Sequence, residues 1–241
     1  MRRFTGYSDV ARRRVGVHFQ TRTGPVDLPH YSELSPRELA PVSHRDVNEH
    51  SKKRSGTSMK IGIISGSTRA NGNTQTVAKY IYDVAANRGR DTEYQLVRLV
   101  DFDVPIFSSS THPMQAGKKY EDPRVQRWSD TIDSFDAFVF VTPEYNHGVP
   151  GGFKNAVDSL GAEWVGKPVA FAGLGSVGGV RAIEQWRQIV ANFSMPGTRP
   201  EMNFGLFTDW EQGNFQPTDR RAAETNAMLD ELERLTVIMN N

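Results

Sequence analysis

The chain has 241 residues, a net charge of +1 and no cysteine, so disulfide frameworks, thiolate nucleophiles and Cys-based zinc or iron–sulfur centres are excluded together. A hydrophobic fraction of 37% allows a sizeable core, and no stretch approaches the roughly 18 consecutive apolar residues of a membrane helix. Any redox chemistry must come from a cofactor.

Charge is unevenly spread. Residues 1–58 carry 11 Lys and Arg against 6 Asp and Glu, which leaves an acidic excess on the remainder. This segment lacks apolar periodicity, contains Pro25, Pro29, Pro36 and Pro41, and closes on Ser51-Lys52-Lys53-Arg54-Ser55-Gly56. It reads as a disordered basic extension. An organellar transit peptide or a nucleic-acid or membrane-surface patch are the functional alternatives. Aromatic residues are sparse in it, and the favoured reading is a dispensable extension with Met59 as a true or alternative start. Neither a nucleic-acid nor a membrane partner is expected, and the expected setting is cytoplasmic.

From Met59 strands and helices alternate. Lys60–Ser65 is a nearly continuous apolar run, as a strand buried on both faces requires. Asn73 or Thr74 is expected to cap a first helix carrying Val77, Ala78, Ile81, Val84 and Ala85, which Gly89 stops. A second strand covers about Glu93–Leu99, and a long irregular stretch follows. Asp122 and Pro123 open a second helix with Val125, Trp128, Ile132 and Phe135 on one face. Ala137–Val141 is the third strand, and Phe153, Ala156, Val157 and Leu160 mark a third helix ended by Gly161. Val169–Ala172 forms a fourth strand, Val180–Phe193 a fourth helix and Phe204–Phe207 a fifth strand. Asp219 caps a last helix with Leu229, Leu232 and Leu235.

Such alternation implies right-handed βαβ units, an α/β three-layer sandwich around a five-stranded parallel sheet. It fits the flavodoxin-like order 2-1-3-4-5, whose ligand lies at the carboxyl ends near the switch between strands 1 and 3. Two unusual loops leave those strands. Gly66-Ser67-Thr68-Arg69-Ala70-Asn71-Gly72-Asn73-Thr74 offers backbone amides at a helix start, hydroxyls on Ser67, Thr68 and Thr74, the Asn73 amide and the Arg69 guanidinium. A phosphate wants that set of donors. No Lys-Ser/Thr follows the second glycine, so the loop is not a Walker A motif; an ordinary βα turn is the competing reading. Pro143-Glu144-Tyr145-Asn146-His147-Gly148 is too polar and turn-rich for a plain connection, and its amides could meet the polar edge of a flat ring. Tyr145 could border that ring. His147 could donate a proton or serve only packing, and no metal partners stand at ligand spacing from it.

Gly173-Leu174-Gly175-Ser176-Val177-Gly178 matches a G-x-G-x-x-G pattern but follows the fourth strand, where a dinucleotide fingerprint does not belong. It reads as a flat loop beside the ring, or as a close strand–helix turn.

Thr142–Gly151, continuing into Lys154-Asn155-Ala156-Val157-Asp158, and Gly178-Gly179-Val180-Arg181-Ala182 resemble the NAD(P)H-dependent FMN reductases. The similarity covers about residues 59–193. It implies that FMN phosphate is held by Ser67, Arg69, Asn73 and Thr74, and the flavin edge by Glu144, Tyr145, Asn146 and His147 after Pro143. It places Gly175, Ser176 and Gly178 at the ring. Many members carry Ser-Asn after the arginine, where this chain has Asn71-Gly72-Asn73-Thr74. The implied activity is ping-pong hydride transfer from NADPH or NADH through FMN to a quinone, azo compound, metal oxyanion or free flavin, with no side chain needed as acid or base. An FMN-binding electron carrier without turnover is the alternative. The resemblance also implies a homodimer or homotetramer, an expectation to which aromatics such as Trp210 were expected to add exposed surface.

Overall fold

A computed structural model describes residues 58–241 apart from Asn71. The extension read in the sequence therefore lies outside the described residues, Ser58 excepted. Five strands form one parallel sheet: β1 (Met59–Ser65), β2 (Thr92–Arg98), β3 (Ala137–Pro143), β4 (Val169–Gly175) and β5 (Met202–Gly205). Their order is β2-β1-β3-β4-β5, the flavodoxin-like arrangement.

Five α-helices cover the sheet: α1 (Asn73–Ala86), α2 (Pro123–Asp133), α3 (Gly151–Asp158), α4 (Val180–Ala191) and α5 (Arg220–Met239). Successive strand residues face opposite layers. Ile61, Ile63, Val139, Val141, Ala170 and Ala172 pack with Val77, Ala78 and Ile81 of α1 and Met228, Leu229 and Leu232 of α5. Ile64, Phe138, Phe140 and Phe171 face the other way, onto Trp128 and Ile132 of α2, Phe153 of α3 and Trp186 of α4. Each of these larger side chains, fully buried, contributes about 1.5–3 kcal/mol.

β5 ends at Gly205, short of the expected Phe204–Phe207 run, because Leu206 and Phe207 turn away from the sheet, and three further local expectations change. β3 and β4 run past their apolar stretches, because Thr142 and Pro143 still pair with Gly173 and Leu174, and Gly175 with Gly205. The first two glycines of the Gly173–Gly178 run are thus ladder residues, not loop. Pro143 is tolerated there because Val141 O accepts from Gly66 N at 2.9 Å. Two residues on, the missing N–H of Pro143 faces the same side, beyond the last β1 pairing at Ser65. Second, the cap of α1 is Gly72, in extended conformation, and no side chain caps that helix. Third, the stretch from Asp209 to Gln216 holds a small hairpin, β6 (Trp210–Glu211) and β7 (Asn214–Phe215), turned through Gln212 and Gly213 at φ 50° and 82°. Trp210 is half-buried, with its ring centroid 4.7 Å from that of Phe215, so it is not the free aromatic surface expected of it. Phe207, 81% exposed, is.

Candidate functional site

At the carboxyl end of β1 the chain must pass under α3. A Cβ on Gly66 would lie 2.0 Å from the Phe153 ring, so packing, not a ligand, demands this glycine. Ser67 follows, 1% exposed; its hydroxyl accepts the Arg69 N–H at 3.2 Å and stands 3.1 Å from the Tyr145 hydroxyl. The two loops leaving β1 and β3 are therefore in direct contact. Gly72 begins α1, with Gln75 N donating to Gly72 O at 3.0 Å. The Asn73 and Thr74 N–H groups meet no acceptor among the described residues. The exposed Arg69 guanidinium likewise has no partner among them. Asn71 lies outside the described residues.

The loop after β3 is a tight turn. Tyr145 and Gly148 exchange reciprocal backbone bonds of 3.1 Å, with Asn146 and His147 at φ 50° and 65° between them. This is the primed geometry of a two-residue hairpin, and it turns both intervening amides outward. Glu144 keeps only its backbone toward the sheet, its N–H on Leu174 O at 2.9 Å. Its carboxylate, 8% exposed, accepts the Arg181 N–H at 3.0 Å and pairs with the Arg181 guanidinium. An acidic residue of the loop thereby caps α4 in place of a local side chain.

The glycine corner resolves into two uses. A Cβ on Gly173 would stand 2.4 Å from Gly178 O, and on Gly179 2.6 Å from Leu174 N, with Gly178 and Gly179 at φ 76° and 71°. These positions serve the close strand–helix turn. Gly175 borders the cleft, and its carbonyl accepts from Gly178 N at 3.1 Å and Leu206 N at 3.0 Å.

A cleft of about 150 Å³ brings these pieces together, lined by Ser67, Arg69, Gly72, Asn73, Thr74, Pro143, Glu144, Tyr145, Leu174, Gly175 and Leu206. Eight of the twelve expected positions stand in that lining: Ser67, Arg69, Asn73, Thr74, Pro143, Glu144, Tyr145 and Gly175. Asn146 and His147 form the turn beside it; Ser176 is exposed on the next loop and Gly178 is buried against Asn203. Leu206 was not anticipated. Its loop is tied by Asp209, which is fully buried and accepts from Gly205 N at 2.9 Å, Thr208 Oγ1 at 2.9 Å and Arg221 Nε at 2.8 Å. Burial pushes the Asp209 carboxyl up, but those donors outweigh it and hold it below the usual carboxylate range. Among the described residues no His, Cys, Asp or Glu cluster could hold a metal ion.

A five-stranded sheet of order β2-β1-β3-β4-β5, with its cleft at the carboxyl ends of β1 and β3, is the flavodoxin-like class of fold, which takes ligands at that switch point. The chain belongs to the NADPH-dependent FMN reductase family, whose model matches residues 59–209. An NAD(P)H-dependent FMN reductase of a Nectria species is 35% identical over 62% of this chain and 78% of its own length. A quinone reductase of Pseudomonas putida is 29% identical over 62% of this chain and 81% of its own. The solved structure of a flavoenzyme NAD(P)H:(acceptor) oxidoreductase from Paracoccus denitrificans superposes with a TM-score of 0.56. It covers 73% of this chain and 98% of that one at 24% identity, a likeness of fold. The protein is accordingly an NAD(P)H-dependent flavin reductase that works with FMN. No helix among the described residues is long and apolar enough to cross a membrane.

Proposed function

We propose that the cleft holds FMN with its phosphate at the start of α1 and its ring along the Pro143–Gly148 loop, and that the acceptor is a small oxidised organic molecule such as a quinone. The observation that carries this is the α1 terminus in the cleft: two N–H groups and an Arg69 guanidinium without partners among the described residues surround one cavity with the Thr74 and Ser67 hydroxyls. The one carboxylate in the lining, Glu144, is already neutralised by Arg181, so the cleft favours an anion. The donor set fits a phosphate monoester.

When bound, FMN supplies a two-electron carrier that receives hydride from NAD(P)H and passes it on. The chain's own residues then have placement as their task. Arg69 and the α1 amides fix the phosphate end. Tyr145, held against Ser67, borders the ring, and the outward amides of Asn146 and His147 offer donors to its polar edge. Gly175 lets the Glu144 loop and the start of α4 close on the end of β4, and Leu206 gives the cleft an apolar wall. None of these groups has to exchange a proton, which agrees with a reaction governed by orientation. The quinone acceptor finds support in the Pseudomonas putida relative. The test is the purified protein's visible spectrum followed by NADH and NADPH oxidation with a benzoquinone, an azo dye and free FMN in parallel. Faster turnover with the quinone is expected. Turnover with free FMN alone would overturn the acceptor assignment, and no NAD(P)H oxidation with any acceptor would leave an electron carrier.

A further inference from the structure

We propose that Gln185, on α4, is a positioning residue that clamps the Asn146–His147 turn in its ligand-ready shape; this rests on the flavin-edge reading above. Its side-chain amide grips the turn from both sides of Gly148. Gln185 Nε2 donates to His147 O at 3.1 Å, and Gln185 Oε1 accepts from Val149 N at 3.0 Å. Gly148 makes the approach possible, because a Cβ there would lie 3.2 Å from Gln185 Oε1.

The other arm of the turn is tied to the same helix. Arg181, one helical turn before Gln185, holds Glu144 through its N–H and guanidinium. The helix itself cannot drift, since Gly179 seats its first turn directly on β4. Between these two ties lie Asn146 and His147, both left-handed, a conformation unfavourable for L-residues that asparagine tolerates better than most. Their N–H groups have no partner among the described residues. A free turn of this composition would leave the left-handed region for part of the time and swing those donors away. The clamp holds the donors in one geometry before any ligand arrives, which is preorganisation. His147 is thereby held through its carbonyl, leaving its imidazole outside the clamp.

Two variants address the same contact by different chemistry. Gln185→Met removes both bonds at similar volume. Gly148→Ala leaves the Gln185 amide intact but crowds its Oε1, lengthening the grip. In the flavin-free protein, the Val149 amide should exchange faster with solvent in both variants while the melting temperature holds. FMN and riboflavin binding, read by fluorescence quenching, should both weaken by about three- to tenfold and by the same factor, because the phosphate end is untouched. The double variant should be no worse than the worse single one, the signature of one shared contact. Unchanged Val149 exchange with unchanged flavin affinity would overturn the clamp, as would fully additive losses. A loss confined to FMN would assign Gln185 to the phosphate end and also overturn it. Wild-type protein that binds neither flavin would instead overturn the flavin-edge reading and, with it, this proposal.

Discussion

α1 and α2 begin at the same end of the sheet, on opposite faces, and begin differently. α2 supplies its own cap: Asp122 accepts the Arg124 N–H at 2.8 Å, with Pro123 in the first turn. Hydrogen bonds from the Arg124 side chain and then its N–H pull the Asp122 carboxyl down to about 2. α1 starts at Gly72 with no side chain among the described residues bonded to its first amides, although Asn73 and Thr74 stand beside them. α3 and α5 also start without a side-chain cap, so what sets α1 apart is its place, with its first residues lining the cleft. That place, beside an Arg69 with no partner among the described residues, is the basis of the proposed phosphate end.

That contrast breaks most visibly if the open end is closed. Gly72→Asp suits the local φ of −81° and ψ of 141° and brings a cap and a negative charge to α1. FMN affinity should fall by more than about 100-fold, with riboflavin affected far less and the flavin-free melting temperature not lowered, as paired titrations and a thermal scan would show. Arg69→Ala should weaken FMN binding about 10–100-fold, the equivalent of losing a charged hydrogen bond worth about 1.5–3 kcal/mol, and leave riboflavin nearly unchanged. Equal losses for the two flavins would show that Arg69 supports the loop's fold. Asp122→Ala, at the closed end, should lower the melting temperature and leave flavin affinity alone. Because the folded-state carboxyl is depressed from 3.8 to about 2, its contribution is complete above pH 4. It should vanish as the pH falls through 2, which acid denaturation of wild type and variant would reveal.

The smallest expected effect concerns the far end of α2. Lys167 donates to the Ile132 and Asp133 carbonyls there at 3.2 and 3.1 Å, and burial lowers its amine to about 8. Between pH 8 and 10.5 the unfolded chain binds more protons, so stability from this group rises with pH. Lys167→Met should flatten that rise in urea-unfolding midpoints.

The sheet order was legible because each buried strand is an unbroken apolar run and each helix keeps its spacing, so topology followed from alternation alone. The cleft residues were legible where a loop's polarity exceeded what a turn needs, as at Ser67, Arg69 and Tyr145. Gly66 and the Gly173–Gly179 corner were harder: their need is a ring or a carbonyl far away in sequence, and glycine looks the same for either purpose. The β6–β7 hairpin escaped notice because two-residue strands carry no alternation to read. Gln185 and Leu206 carry no local signal; each matters through a partner tens of residues away.

The lip of the cleft is bolted, not hinged. Leu206 and Phe207 sit on a loop whose root is fixed by the buried Asp209–Arg221 pair, itself tied to the last long helix by Arg221 and to β5 through Asn203 O at 2.7 Å. Opening that loop would break the Asp209–Arg221 pair and its bonds to Gly205 N and Asn203 O. The Leu206 wall of the cleft is therefore anchored from behind, by a helix and a strand, while Phe207 beyond it stays exposed.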